Sequence, residues 1–254
     1  MPTPCSDRAR FAGRAVAILG GNAGIGLAAA RLFAAEGARL AITGRNAATL
    51  DAVAAETGAS VHVADMGDIA ASTAALHAIG AALGPIDVLF LNAGVGGFAP
   101  VADVTEPFWD GIHDVNLRGA FFALQAAIPL MRDGGAIVVT GSIGSIAAVP
   151  GNVAYAAAKA GLRAVVRIVA KELLPRGIRV NMVSPGPTET EIFKRDASAA
   201  EIAAVRDMLS GVVPIGRMGE AEEVARAALF LASSEASFIN GVDLFVDGGC
   251  LELG

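Results

Sequence analysis

Tyrosine and tryptophan occur once each, cysteine twice, and lysine three times against sixteen arginines in this chain of 254 residues. Two cysteines, Cys5 and Cys250 near opposite ends, imply no disulfide framework, and a reducing cytoplasm is the simpler expectation. No apolar run reaches the roughly 18–20 residues that a membrane span needs. The opening MPTPCSDRARFAGR lacks the apolar stretch of a secretory signal. No basic run relieves the net charge of −6, which argues against nucleic acid as a main partner. His62, His77 and His113 are far apart and show no ligand spacing, so no metal is expected. Aromatic residues are only 5% of the chain, yet 54% is apolar and glycine numbers 31. Such a composition suits closely packed helices on a sheet.

What is present alternates. Apolar runs rich in Val and Ile read as buried strands at 14–19, 39–43, 60–64, 86–91, 136–140, 178–183 and 242–246. Helical patterns lie between them, including a long one over 109–131 and an Ala-rich one over 151–174. This order predicts one doubly wound α/β domain over 1–254, a Rossmann fold with a parallel sheet of about seven strands and helices on both faces. Residues 1–10 read as a flexible tail.

The first strand runs into Gly20-Gly21-Asn22-Ala23-Gly24-Ile25-Gly26 and then a helix. Strand, glycine turn and helix form the arrangement that cradles a pyrophosphate on backbone N–H groups and the positive end of a helix dipole. A tight turn without a ligand is the alternative. After the second strand, where a carboxylate would hold the ribose of NAD, stands Arg45. A guanidinium there suits a 2′-phosphate and favours NADP (NADPH) over NAD, unless Arg45 is simply a solvated surface charge. Asp65, Asn92, Ser142, Thr188 and Thr190 also follow strands directly, and ligands of such sheets bind beyond the carboxyl ends of the strands.

The only tyrosine, Tyr155, stands four residues before Lys159 in a run of alanines. On a helix the two share a face, and a neighbouring cation lowers a phenol's pKa toward the range useful for proton transfer at a carbonyl. YAAAK by itself also fits a core tyrosine followed by a solvated lysine. Ser142 has neither a G-x-S-x-G elbow nor a following histidine, so a hydrolytic nucleophile is not expected.

Taken together, Gly20…Gly24-Ile25-Gly26, Asp65, Asn92-Ala93-Gly94, Asn116, Ser142, Tyr155-Ala-Ala-Ala-Lys159, Asn181, Pro185-Gly186 and Val246-Asp247-Gly248-Gly249 resemble the short-chain dehydrogenase/reductase family over nearly the whole chain. Within it, the chain looks most like bacterial NADP-dependent secondary-alcohol dehydrogenases and is also similar to 3-oxoacyl-carrier-protein reductases. The resemblance implies Tyr155 as general acid/base and Lys159 as its electrostatic support and ribose ligand. It implies Ser142 as a donor to the substrate oxygen and Asn116 as holder of a relay water. It also implies cofactor contacts from Gly20, Asn22, Ile25, Asp65, Met66, Asn92, Ala93, Gly94, Pro185, Gly186, Thr188 and Thr190. A substrate mouth at Gly96, Ile143, Gly144, Val149 and Asn152 is implied, with 191–213 as a lid whose apolar residues suit a small apolar carbonyl or alcohol. A cytoplasmic homotetramer is expected. Reduction of a 3-oxoacyl thioester is the alternative reaction, with Arg118, Arg163 and Arg167 as candidates for a carrier-protein patch. A cofactor-sensing regulator without turnover is a third reading. One departure stands out: Leu19 replaces the threonine that usually precedes the first glycine and braces the Asn92 turn.

Overall fold

The computed structural model describes residues 9–190 and 199–254. Seven strands form one parallel sheet: β1 (Ala15–Leu19), β2 (Arg39–Gly44), β3 (Ser60–Val63), β4 (Ile86–Leu91), β5 (Met131–Thr140), β6 (Arg179–Pro185) and, after two short strands elsewhere, β9 (Asp243–Val246). Their order is β3-β2-β1-β4-β5-β6-β9. The chain reverses its direction of winding between β1 and β4, and a ligand crevice opens at such a switch point.

Helices cover both faces because strand residues alternate between them. Val16 and Ile18 point into a cluster with α1 (Gly24–Ala35), α2 (Ala47–Thr57) and α8 (Ala221–Ala232). Ala17 and Leu19 point the other way, toward α3 (Ile69–Leu83), α5 (Ala120–Ala127) and α6 (Val153–Glu172). The inner strands β1 and β4 are buried at every position, which explains their uninterrupted apolar runs. Asn46 and Asp68 cap α2 and α3 by accepting from the N–H groups of Thr49 and Ala71, so these helices start where the polar residue falls. At the edge, Asn181 and Asn240 act in place of ladder bonds: Val180 N donates to Asn240 Oδ1 at 2.8 Å and Val242 N to Asn181 Oδ1 at 3.1 Å.

Three details differ from the sequence expectations. The single long helix over 109–131 is instead α4 (Glu106–His113), a π-helical turn at Asp114–Gly119, α5, and a 3-10 turn leading into β5 at Met131. Gly119, at the end of the π-helical turn, packs so closely on the Met66 carbonyl that a Cβ there would overlap it. Second, Arg10 is no tail residue, since it pairs with Glu36 and with Glu235, the latter at 2.9 Å. Third, two unforeseen strands, β7 (Thr188–Glu189) and β8 (Gly219–Glu220), pair in parallel. They clamp the two ends of the excursion that contains α7 (Ala199–Gly211). Of the expected lid, residues 191–198 lie outside the described residues. Among the described residues, no helix is long and apolar enough to cross a membrane.

Candidate active site

The crevice is built from strand ends. Gly20 takes φ +83°, and a Cβ on it would stand 2.7 Å from Ala93 Cα. A side chain at Gly26 would collide with the Gly20 carbonyl and reach within 2.7 Å of Asn92 Nδ2. Glycine is therefore obligatory where the turn after β1 meets the turn after β4. The two turns are tied: Asn92 Nδ2 donates to Gly20 O at 2.9 Å, and the N–H groups of Asn92 and Ala93 donate to Leu19 O at 2.9 and 2.8 Å. Thr140 Oγ1 donates to Asn92 Oδ1 at 2.9 Å. The hydroxyl absent at position 19 is thus supplied from β5, and the Asn92 turn is braced after all. Thr140 was legible only as a strand residue. Its role follows from lying opposite Asn92, 48 positions away.

The expected cofactor contacts gather along this crevice. Thr190 lies over the start of α1, its Cγ2 3.3 Å from where a Cβ of Gly24 would stand. Asn22 Nδ2 donates to Thr49 Oγ1 at 2.8 Å, which sets its side chain against Gly44 and beside Arg45. Arg45 and Asp65 approach to 3.9 Å, both about half exposed. Asp65 Oδ1 accepts from Gly67 N at 2.9 Å. A cleft of about 820 Å³ continues past Asp65 between Gly67, Asp68, Asp114, Val115 and Arg118. Pro185 ends β6 and Gly186 follows it, with Gly186 N donating to Val246 O, and buried Thr188 donates to Gly186 O. Met66 is 5% exposed and its side chain packs in the core. Glycine turn, helix N-terminus, an exposed guanidinium and a carboxylate fit a dinucleotide by the chemistry of their donors.

Tyr155 and Lys159 do share one face of α6, with Nζ 5.7 Å from the ring centroid. Lys159 is buried and donates to Thr140 O at 2.9 Å. Burial holds its ammonium down to about 8. Tyr155 does not follow the sequence expectation. Burial pushes its phenol above the ordinary value, and the Ser142 hydroxyl, which donates to the phenolate, offsets this only in part. Ser142 Oγ accepts from Gly144 N at 3.0 Å, which fixes its rotamer.

Asn116 sits in the π-helical turn, fully buried. Its Nδ2 donates to Val95 O at 2.8 Å and to Ile112 O at 2.9 Å, and its Oδ1 accepts from Val95 N at 3.2 Å. A Cβ placed on Gly94 would lie 2.8 Å from Asn116 Oδ1 and 3.7 Å from Lys159 Nζ. Asn116 Oδ1 and Lys159 Nζ thus lie beside the Gly94 backbone, and Ser142 neighbours the Tyr155 phenol.

Of the residues expected at a substrate mouth and their neighbours, Gly96, Phe98, Val101, Ile146 and Val149 are exposed, Ile143 is half-buried and Gly144 and Asn152 are buried. A groove of about 530 Å³ runs between 98–101 and 150–151. Arg163, offered above as part of a surface patch, instead pairs with buried Asp243 at 3.0 Å. Burial raises the Asp243 carboxyl while Ser184 and Arg163 oppose the rise.

The sequence model of a protein family described as enoyl-(acyl carrier protein) reductase matches residues 20–250. Galactitol 2-dehydrogenase (L-tagatose-forming) of Cereibacter sphaeroides is 39% identical over 247 residues, covering 94% of this chain and 96% of that one. A 3-oxoacyl-[acyl-carrier-protein] reductase of Thermotoga maritima is 36% identical over 248 residues, covering 94% and 98%. A short-chain dehydrogenase from Burkholderia cenocepacia, solved in complex with NADP, superposes with a TM-score of 0.87 at 35% identity over 95% of this chain and 99% of that one.

Proposed function

Since this chain belongs to the short-chain dehydrogenase/reductase family and is an oxidoreductase, we propose that it interconverts ketones and secondary alcohols with NADP. The observation that carries the reading is a chain of neighbours: Ser142 beside the Tyr155 phenol, Lys159 on the same helix face as Tyr155, and Asn116 Oδ1 with Lys159 Nζ beside Gly94. A nicotinamide held here would supply the hydride that reduces the carbonyl carbon, or accept the one removed from the alcohol carbon. Tyr155 gives its phenolic proton to the developing alkoxide and takes it back in oxidation. Ser142 donates to the same oxygen and holds it against the phenol. Lys159 favours the phenolate electrostatically and holds the ribose hydroxyls. Asn116 holds a water through which Lys159 exchanges protons with solvent.

Gly20, Asn22, Gly24, Ile25 and Gly26 line the phosphates, and Asn92, Ala93 and Gly94 the adjoining ribose. Arg45 takes the 2′-phosphate, because its guanidinium is half exposed and only loosely paired with Asp65. Pro185, Gly186, Thr188 and Thr190 hold the carboxamide end. The apolar rim of Phe98, Val101, Ile146 and Val149 favours a small apolar carbonyl or alcohol. Two of the three arginines considered for a carrier protein are engaged, Arg118 with Asp114 at 3.4 Å and Arg163 with Asp243. This weighs against 3-oxoacyl-thioester reduction, although a relative carries that name. Exposed Phe121, Ile168 and Leu174 on and just after α5 and α6 support a homotetramer, and the scarcity of cysteine fits a cytoplasmic setting.

The test is cofactor consumption against aliphatic ketones, aryl ketones, a diketone and an acetoacetyl thioester, with NADPH and NADH in parallel. Ketone turnover with NADPH is expected. Turnover of the thioester alone moves the protein to acyl-thioester reduction, and NADH preferred throughout refutes the role of Arg45. A monomer in size-exclusion at micromolar concentration refutes the tetramer.

A further inference from the structure

Asn152 occupies the N-cap of α6, where an asparagine side chain ordinarily accepts from the first-turn N–H groups. Here it makes no such bond. Its backbone is spent locally, the N–H on Val149 O at 3.2 Å and the carbonyl on Ala156 N at 2.8 Å. Its carboxamide has no hydrogen-bond partner among the described residues, although the residue is only 7% exposed. Neither polar atom of the carboxamide is sealed inside the protein, so the group is left open to a ligand or solvent. The direction of the side chain gives the reason. A methyl placed on Gly144 would stand 3.0 Å from Asn152 Nδ2, 3.3 Å from Ser142 Oγ and 3.6 Å from Tyr155 Cε1. The helix forgoes its cap, and the carboxamide is turned into the same atom-sized space as the two groups that hold the reacting oxygen.

We infer that Asn152 binds a second substrate oxygen, on the carbon next to the reacting one, so that the enzyme selects α-hydroxy ketones, α-diketones and the matching vicinal diols over plain ketones and alcohols. This rests on the ketone–alcohol reading above. The neighbouring carbon is chosen because Asn152 Nδ2 and Ser142 Oγ lie 3.0 and 3.3 Å from one point beside Gly144, close enough for oxygens on adjacent carbons to reach both. A carboxamide both donates and accepts, so it serves a carbonyl and a hydroxyl alike. The hydrocarbon remainder of the substrate leaves along the apolar rim at Ile146 and Val149.

The experiment compares kcat/KM for 3-hydroxy-2-butanone and butane-2,3-dione with that for 2-butanone, and for 2,3-butanediol with that for 2-butanol. Wild type and Asn152→Leu are compared first. The oxygenated-to-plain ratio is the readout, and it should fall by about tenfold in Asn152→Leu, the worth of one well-made hydrogen bond in a closed site. Asn152→Asp supplies a second readout that a merely structural role would not move. A carboxylate only accepts, so the hydroxy ketone should keep most of its advantage while the dione loses it. Equal ratios in wild type and Asn152→Leu, or an aspartate variant that treats both oxygenated substrates alike, overturn the inference. Plain ketones turned over without any preference overturn it while leaving the parent reading intact. No turnover of any ketone or alcohol by wild type, with cofactor binding seen by fluorescence, overturns both.

Discussion

Lys159 Nζ donates to the carbonyl oxygen of Thr140 at 2.9 Å, and the hydroxyl of the same threonine donates to Asn92 Oδ1 at 2.9 Å. One residue at the end of β5 therefore joins the catalytic helix to the turn that abuts the glycine loop. A displacement of either partner is felt by the other, because the shared atoms are buried or nearly so.

Thr140→Val keeps the shape and deletes the hydroxyl. Asn92 Oδ1 then loses its donor, at a cost of about 1–2 kcal/mol. Since Asn92 also holds the Gly20 carbonyl, KM for the cofactor should rise more than kcat falls. Urea unfolding and cofactor titration check this. Unchanged stability and unchanged cofactor affinity would show that the brace is redundant.

Tyr155→Phe should bind cofactor as wild type does and lose about 10²–10⁴-fold in turnover, the span expected when a positioned proton donor is removed. Ser142→Ala should lose about 10²-fold. Stopped-flow binding and steady-state rates separate the two steps. A phenylalanine variant with near-normal kcat removes Tyr155 from the chemistry.

Lys159 carries a cost in stability with a definite sign. Its folded pKa of about 8 lies below the ordinary 10.5, so the unfolded chain binds this proton more tightly. The penalty, about 3 kcal/mol, is fully present below pH 8 and is relieved as the pH climbs toward 10.5. Lys159→Met removes it but leaves Thr140 O without its donor, which costs about 1–3 kcal/mol. The variant should therefore be inactive yet within about 2 kcal/mol of wild type near neutral pH, with wild type gaining on it above pH 8. Denaturant melts of both proteins at neutral and alkaline pH read this out directly. A gap that does not move with pH would mean that Lys159 is not held in a depressed state.

Arg45→Ala tests cofactor choice. The pair with Asp65 is long and half exposed, worth at most about 1 kcal/mol to the fold, so melting should hardly change. Charge-assisted bonds to a phosphate are stronger, and KM for NADPH should rise by about 10–100-fold while that for NADH stays put. Equal effects on both cofactors would make Arg45 a surface charge.

The sequence by itself determined the alternation of strands and helices, the glycine turn after β1 and the shared face of Tyr155 and Lys159. Each is set by neighbours within a few residues, through side-chain periodicity, backbone freedom and helical spacing. Tertiary structure decided the rest. The π-helical turn that holds Asn116 also sets Gly119 against the Met66 carbonyl, a contact between elements far apart in sequence. Thr140 could replace the hydroxyl missing at position 19 only because β5 lies beside β4. The Met66 side chain packs inward and the Tyr155 phenol is less acidic than ordinary for one reason: desolvation depends on what packs around a group and not on its neighbours in sequence.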